Sequence, residues 1–401
     1  MKNYDKPHFI IKKELQKSGV TGIYFSDIIT EEILKDVTYK ITNQKEFTVE
    51  FVDNDYSDDY LPKSYNKGRM AVLLYKDEVN FISFSEKEIA GRNSGIQSVP
   101  TAFNMFYNCE YSKKKLHYYF IHENGNAETD YYLLIYRLMM TIGFNFLNLE
   151  VLDNKIFPFT SIEDIMYSRQ VNSKRNKSNN STYITKSGYK EYDVYGKTYG
   201  ANKYETTMFC YALSKLSNKE NHITLYEVLE GDLKELPQSC LEVISKMGVV
   251  KVVPTDMQLE KNVFEQNDSL RSPRYIYNLL EKMGSKHCAF CDCEIPELIQ
   301  GAHIWPVSDI KKEQLMTAEK KLECAIDGEN GLWLCENHHK MFDENLITIN
   351  NDGILVFDSS SEMKNILFMQ KVTTNLVIPK EILTDRFLHY LKLRNENLSS
   401  T

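Results

Sequence analysis

Short apolar runs alternate with a helix-length one over the first ~165 residues. EFTVEFV (47–52 and its flank), MAVLLY (70–75), VNFISF (79–84) and LHYYFIH (116–122) are short and rich in β-branched and aromatic residues, as strands are. TDYYLLIYRLMMTIG (129–143) has the length and apolar content of a buried helix. The pattern predicts a mixed α/β domain over residues 1–165. Arg92, Asn93 and Gln97 lie in a Gly/Ser-containing stretch between elements, either a surface loop or a loop that reads base edges.

The pattern then breaks. SRQVNSKRNKSNNSTYITKSG (168–188) carries too few apolar side chains to bury a core and predicts a mobile polar segment. Structure resumes with a strand and glycine turn, a helix from about Tyr204, a strand at 223–231, a helix at 235–248 ending in glycine, and a strand at 249–254. A helix over 271–284 leads into a Cys/His-rich stretch. An amphipathic helix over 378–396, with proline at its start, suits core packing or a dimer face. The chain thus reads as three blocks, 1–165, 166–270 and 271–401, the last with a compact core at 284–358. The fold class is α+β.

Composition changes this picture little. A chain of 401 residues, 42% hydrophobic and 26% charged, is long enough for two or three folded domains. No apolar run approaches the ~20 residues that cross a membrane. The N-terminus lacks the apolar core of a signal peptide, so a cytoplasmic location without membrane contact is expected. No Gly-x-x-x-x-Gly-Lys-Ser/Thr loop is present, and no ATP site is expected. Net charge is −8, yet residues 168–205 hold eight cations against three acids, a local +5.

Of eight cysteines, Cys288, Cys291, Cys293 and Cys335 crowd together with histidines, which in a reducing compartment points to metal rather than disulfides. Cys288-x-x-Cys291 precedes a short strand ending in His303, then a loop with Asn330. A second x-x-spaced pair, Cys335 and His338, enters a short helix with His339. Structural zinc takes four tetrahedral thiolate or imidazole ligands, and these two pairs supply four. Such a staple suits a module too small to hold itself together.

Ala302-His303-Ile304-Trp305-Pro306, Asn330-Gly331-Leu332-Trp333-Leu334-Cys335 and His338-His339-Lys340-Met341-Phe342-Asp343 together resemble the HNH (ββα-metal) endonuclease family, in the branch common among restriction endonucleases. The resemblance implies that His303 is the general base for the attacking water. It implies that Asn330 fixes the loop between strand and helix and also faces the catalytic metal. His339 is implied to bind a divalent ion, Mg2+ or another, that steadies the phosphorane and the leaving 3′ oxygen. In isolation His303 would read as a buried strand histidine. Three departures leave options open. Ala302 stands where many HNH enzymes carry a metal-binding Asp or His, so some other carboxylate or amide, Asn330 or Asp327 among the candidates, is expected to complete the metal shell. His338 stands in place of a fourth cysteine; neighbours on a helix diverge by ~100°, so His338 is assigned to zinc and His339 to catalysis, the reverse remaining open. Cys293 competes as a zinc ligand.

These features predict a restriction-type, site-specific endonuclease acting on double-stranded DNA in phage defence, with 1–165 recognising the target and 166–270 adding contacts. Lys174, Arg175, Lys177, Lys197 and Lys340 are the expected phosphate contacts. Cutting both strands with one site per chain predicts a homodimer. The rivals are a modification-dependent HNH endonuclease, a nuclease toxin or mobile-element endonuclease, and a non-catalytic zinc DNA-binding protein. A second nuclease core of the PD-(D/E)xK type around Asp193–Glu230 is a further possibility.

Overall fold

The computed structural model describes residues 4–14, 24, 26, 28–53, 55–58, 60–61, 69–85, 96–121, 129–175, 181–198, 200, 202–229, 235–266 and 272–399, without the side chains of 172–175, 397 and 399. They form two compact units threaded through one another in sequence. One comprises 1–172, 197–220 and 234–251; the other comprises 173–196, 221–233 and 252–401. These limits cut across the blocks expected to end at 165 and 270, because two short stretches of the middle block return to the first unit.

The first unit is built on a six-stranded sheet, in the order β2-β1-β3-β4-β5-β6. Its strands are β1 (Tyr4–Lys12), β2 (Thr48–Val52), β3 (Met70–Lys76), β4 (Glu78–Phe84), β5 (Lys114–Tyr119) and β6 (Phe144–Phe146). β3 runs antiparallel to β1 and β4, whereas β4, β5 and β6 pair in parallel. The near-continuous apolar runs of β3 and β4 follow from this, since a central strand covered on both faces has no solvent side. Helix α1 (Glu31–Thr42) packs Leu34 and Val37 onto Phe9, Ile11, Leu73 and Ile82. α2 (Val99–Asn108), α3 (Asp130–Ile142), α4 (Ile162–Arg175), α5 (Asn202–Leu216) and α6 (Gln238–Met247) are its other α-helices among the described residues. The mixed α/β expectation holds, and β1 and α1 are added to it.

The polar stretch expected to be mobile at 168–188 is helix and strand where it is described, 176–180 lying outside the described residues. α4 runs to Arg175 and β7 (Thr182–Gly188) starts soon after. Arg169, counted among the cations, is buried in an ion pair with the buried Glu205, which also accepts from the Tyr131 hydroxyl at 3.1 Å. Gln97 lies in a turn before α2 and hydrogen-bonds Tyr204, while Arg92 and Asn93 lie outside the described residues.

The second unit joins a four-stranded sheet, order β10-β9-β8-β7, to the C-terminal module. Its other strands are β8 (Glu191–Lys197), β9 (His222–Val228) and β10 (Val250–Thr255). α7 (Met257–Gln266) and α8 (Pro273–Met283) lead into the module. There β11 (Ile299–His303) pairs antiparallel with β12 (Gly331–Cys335), setting His303 across from Gly331. α9 (Val307–Lys312) and α10 (Ala318–Ala325) lie between these strands, and α11 (Glu336–Asp343) follows β12 directly. The ββα arrangement expected from the motifs is present. A hairpin of β13 (Ile347–Ile349) and β14 (Leu355–Phe357) follows, then α12 (Met363–Val372) and α13 (Asp385–Ser399).

α13 begins seven positions later than the apolar pattern suggested. Ile378 is buried under the module, but 378–384 runs as loop and turn rather than helix. Phe387, Tyr390 and Leu391 sit in the same core as Trp305 and Phe342, so the core-packing reading of this helix holds. Among the described residues no helix is long and apolar enough to cross a membrane.

Candidate active site and metal centre

Cys288 and Cys291 sit on a tight knuckle before β11; Cys335 ends β12, and His338 lies in the first turn of α11. Their ligand atoms all fall within 4.8 Å of one another. Cys291 Sγ lies 3.9 Å from Cys335 Sγ, and Cys288 Sγ lies 3.5 Å from His338 Nδ1. Tetrahedral ligands at usual Zn–S and Zn–N lengths would be about 3.8 and 3.6 Å apart, so the donor set fits zinc. His338 Nε2 lies 3.1 Å from Thr373 Oγ1, a partner that lets Nε2 keep the proton and turns Nδ1 to the sulfurs. Burial holds the His338 imidazole neutral, its pKa lowered to about 4, and pushes the Cys288 thiol up to about 12. Burial also raises the Cys291 thiol; a bound ion would supply the charge that makes the cluster's thiols thiolates. The cluster contains His338 rather than His339, and Cys293 stands outside it. Cys293 instead accepts from the Cys288 amide through its carbonyl at 2.9 Å, closing the knuckle.

His303, at the end of β11, lines a cavity of about 1090 Å3 together with His339 and Asp343 of α11. Its Nε2 lies 2.8 Å from the Ala325 carbonyl. A carbonyl only accepts, so Nε2 carries the proton and Nδ1 is left as the basic nitrogen. The ring stacks on Tyr275 of α8, with centroids 4.1 Å apart and planes 13° from parallel. Burial lowers the His303 pKa to about 4, the Ala325 bond opposes that shift, and the nearby His339 adds to it. The side chain is therefore neutral at pH 7, the form that accepts a proton.

Tyr275 gave no signal in the sequence. It fits because β11 and β12 carry glycines beneath it. A Cβ on Gly331 would meet the Tyr275 hydroxyl at 2.3 Å, and one on Gly301 would meet its ring at 3.0 Å. That hydroxyl is buried without a hydrogen-bond partner among the described residues, so packing alone holds the ring in place.

Asn330 is fully buried and does not line the cavity. Its Oδ1 accepts from the Trp305 amide at 2.8 Å, and its Nδ2 donates to the Trp305 and Cys324 carbonyls at 3.2 and 3.1 Å. It clamps the chain leaving β11, and both atoms of its amide are engaged there. Asp327 is likewise engaged elsewhere. It caps the Gly328–Asn330 turn, accepts from the Tyr390 hydroxyl at 2.8 Å, and pairs with Arg386. The acid beside His339 is Asp343, one helical turn on, with its Oδ2 3.4 Å from His339 Nε2. This pair suits a hard divalent ion, which keeps several waters and takes few protein ligands.

Arg394 of α13 also reaches the cavity. It donates to the Ile304 carbonyl at 3.1 Å, to the Phe342 carbonyl and to Asn345 Oδ1 at 2.7 Å, and stacks on Phe342 at 3.9 Å. It thereby ties the end of β11 to the end of α11.

The expected phosphate contacts are scattered. Lys340 is exposed but ion-paired with Glu344 one turn along. Lys197 is half-buried at the end of β8, its carbonyl accepting from Thr206 Oγ1 at 3.1 Å. Lys177 and the side chains of Lys174 and Arg175 lie outside the described residues. Of the second nuclease core considered around Asp193–Glu230, Glu230 lies outside the described residues. Asp193 belongs to the second unit and Glu205 to the first, and among the described residues the Cys288 cluster is the one group of three or more metal-ligating side chains.

Residues 288–350 match the family model described as HNH endonuclease. The match covers the module alone and supports a nuclease domain there. No curated protein matches the chain.

Two outcomes follow. Purified protein should carry one zinc per chain through dialysis. Cys288→Ser should lose it and unfold the module, as the binding energy of structural zinc, about 10 kcal/mol or more, is folding energy; a zinc-free protein with unchanged melting would remove the site. Tyr275→Phe keeps the stack and sheds an unsatisfied hydroxyl, so stability should hold or rise by about 1 kcal/mol. Tyr275→Ala should cost about 3–5 kcal/mol and disturb the His303 ring resonances. Equal melting temperatures for the two variants would refute the packing role.

Proposed function

We propose that this protein is a restriction-type DNA endonuclease that hydrolyses phosphodiester bonds in the cavity between β11 and α11. The observation that carries the reading is the state of His303: one nitrogen is committed to a backbone carbonyl, and the other is basic and uncharged in a cavity shared with His339 and Asp343.

In this reading His303 Nδ1 takes the proton from the attacking water. A phosphate beside the ring stabilises the imidazolium that forms, raising a pKa that burial alone holds low. Ala325 holds the Nε2 proton and Tyr275 fixes the ring plane. His339 and Asp343 would hold the divalent ion, Mg2+ or another. Such an ion supplies positive charge where the phosphate and leaving oxygen gain negative charge. Ala302 has no part in this, since Asp343 takes the place of a ligand before the base. Structural zinc at Cys288, Cys291, Cys335 and His338 keeps α11 against β11.

The first unit exceeds anything hydrolysis requires, which suits recognition of a DNA sequence. The module is rich in acids, so phosphate affinity has to come from elsewhere. Lys174, Arg175 and Lys177, with Lys197, are the proposed source. One active site per chain suits a homodimer on a two-fold symmetric target, in a cytoplasmic defence role.

His303→Ala should lower the rate of DNA cleavage in Mg2+ by about 10²–10⁴-fold while leaving DNA affinity within twofold. Cleavage within tenfold of wild type would exclude His303 as the base. In salt titrations of the same complexes, read by sedimentation, the mass should correspond to two chains per duplex. Replacing Lys174, Arg175 and Lys177 together by Ala should flatten the slope of log K against log salt by about 0.9 for each phosphate that is no longer neutralised. An unchanged slope would assign phosphate binding to other residues.

A further inference from the structure

The cavity beside His303 is larger than the chemistry needs. At about 1090 Å3 it lies just above the usual range of small-molecule pockets, about 300–1,000 Å3, and is much larger than a phosphodiester and one water. Part of its wall comes from the four-stranded sheet of the second unit, which the nuclease motif does not include. Tyr195 of β8 and Tyr226 of β9 line it with their rings stacked, 5.1 Å apart and 15° from parallel. Asp193 lines the same wall, beside the Ser187 hydroxyl and with the Tyr195 hydroxyl 3.5 Å from Oδ2.

Lys286, just before the zinc knuckle, also faces this space. Its Nζ lies 5.8 Å from the Trp333 ring centre and makes a long hydrogen bond, 3.5 Å, to the Lys186 carbonyl. Burial lowers its pKa, Asp193 and Glu297 oppose that shift, and among the described residues no ion pair joins it to either. A half-buried ammonium with donors to spare and a carboxylate with acceptor capacity therefore share one aromatic-lined wall.

The chemistry that fits is flat, aromatic and edged with both donors and acceptors. Asp193 and Glu297 disfavour a phosphate here, so the wall suits a base rather than the backbone. Carboxylates accept from exocyclic amines, and lysine donates to ring or carbonyl acceptors. Aromatic side chains stack on any base.

We propose that Asp193, Tyr195, Tyr226 and Lys286 form a nucleobase pocket that receives one unpaired base next to the scissile phosphate. The proposal rests on the endonuclease reading above. The base comes either from an intact duplex, by extrusion, or from a strand already single, and the unstacking cost differs between the two sources.

The test uses the full-length protein with Ca2+ replacing Mg2+ for binding, and Mg2+ for cleavage. Oligonucleotides carry 2-aminopurine at successive positions around the cut. Wild type should raise its fluorescence several-fold at one position. A rise on duplex DNA means extrusion; a rise on gapped DNA alone means a single-stranded source. Asp193→Asn, nearly isosteric, and Tyr226→Leu should abolish the rise and weaken duplex cleavage by about tenfold or more. If the source is extrusion, a mismatch at that position should restore much of the loss, because the cost of unpairing is already met. Zinc content and melting temperature report whether each variant is folded. If wild type cleaves DNA, no position brightens and both folded variants cut at the wild-type rate, the wall is core packing and the pocket is refuted while the nuclease reading stands. If wild type neither binds nor cuts DNA with any divalent ion, both readings fall together.

Discussion

Three thiols and an imidazole converge on one spot where β12 gives way to α11, and the placement of every other group at the site depends on that convergence. Cys288 and Cys291 come from the approach to β11, Cys335 and His338 from the far end of the hairpin and the first turn of the helix. A single ion held by all four would cross-link segments that meet only in the folded state. It would also supply the charge that three neighbouring sulfurs need in order to ionise. Without that link α11 is a helix of eight residues, too short to be stable alone in water.

Around the cross-link the module uses buried polar groups as fixed struts. Asn330 commits its amide to the chain leaving β11, and Arg394 spans from that chain to the end of α11. Each is a buried group with several partners, costly to leave half-satisfied. Such struts hold the elements that carry His303 and His339, both lining the cavity, without relying on loop stiffness. Tyr275 does the same by packing, in the space that Gly301 and Gly331 leave open.

The electrostatics are divided. Asp193, Glu297, Asp309, Glu313 and Asp343 all line the cavity, against Lys286, Lys312 and Arg394. An acidic interior suits a divalent cation and amino-bearing bases, but it opposes a phosphate diester approaching alone. In the proposed reading, cations outside the cavity would drive DNA binding, and an ion held by His339 and Asp343 would offset the acids locally.

Much of the module was legible in the sequence because its chemistry is local. The x-x spacing of the two ligand pairs, the strand ending in His303 and the helix entered at Cys335 are set by neighbours a few residues apart. The same locality assigned His338, not His339, to the cluster. The strands of the first unit were legible for a similar reason, as fully buried strands read as continuous apolar runs. What spacing does not show is long-range: the hydrogen bonds that engage Asn330 and Asp327 come from Trp305 and Tyr390, distant in sequence. Arg169 counted as a surface cation until Glu205 buried it. Tyr275 and Arg394 carried no motif, and their roles exist only because helices far apart in the chain close on the same cavity. Spacing fixes which side chains share a knuckle or a helical turn. Only the tertiary fold decides which polar atoms are engaged by the backbone and which remain open to chemistry, because burial and hydrogen-bond partners are properties of the packed chain.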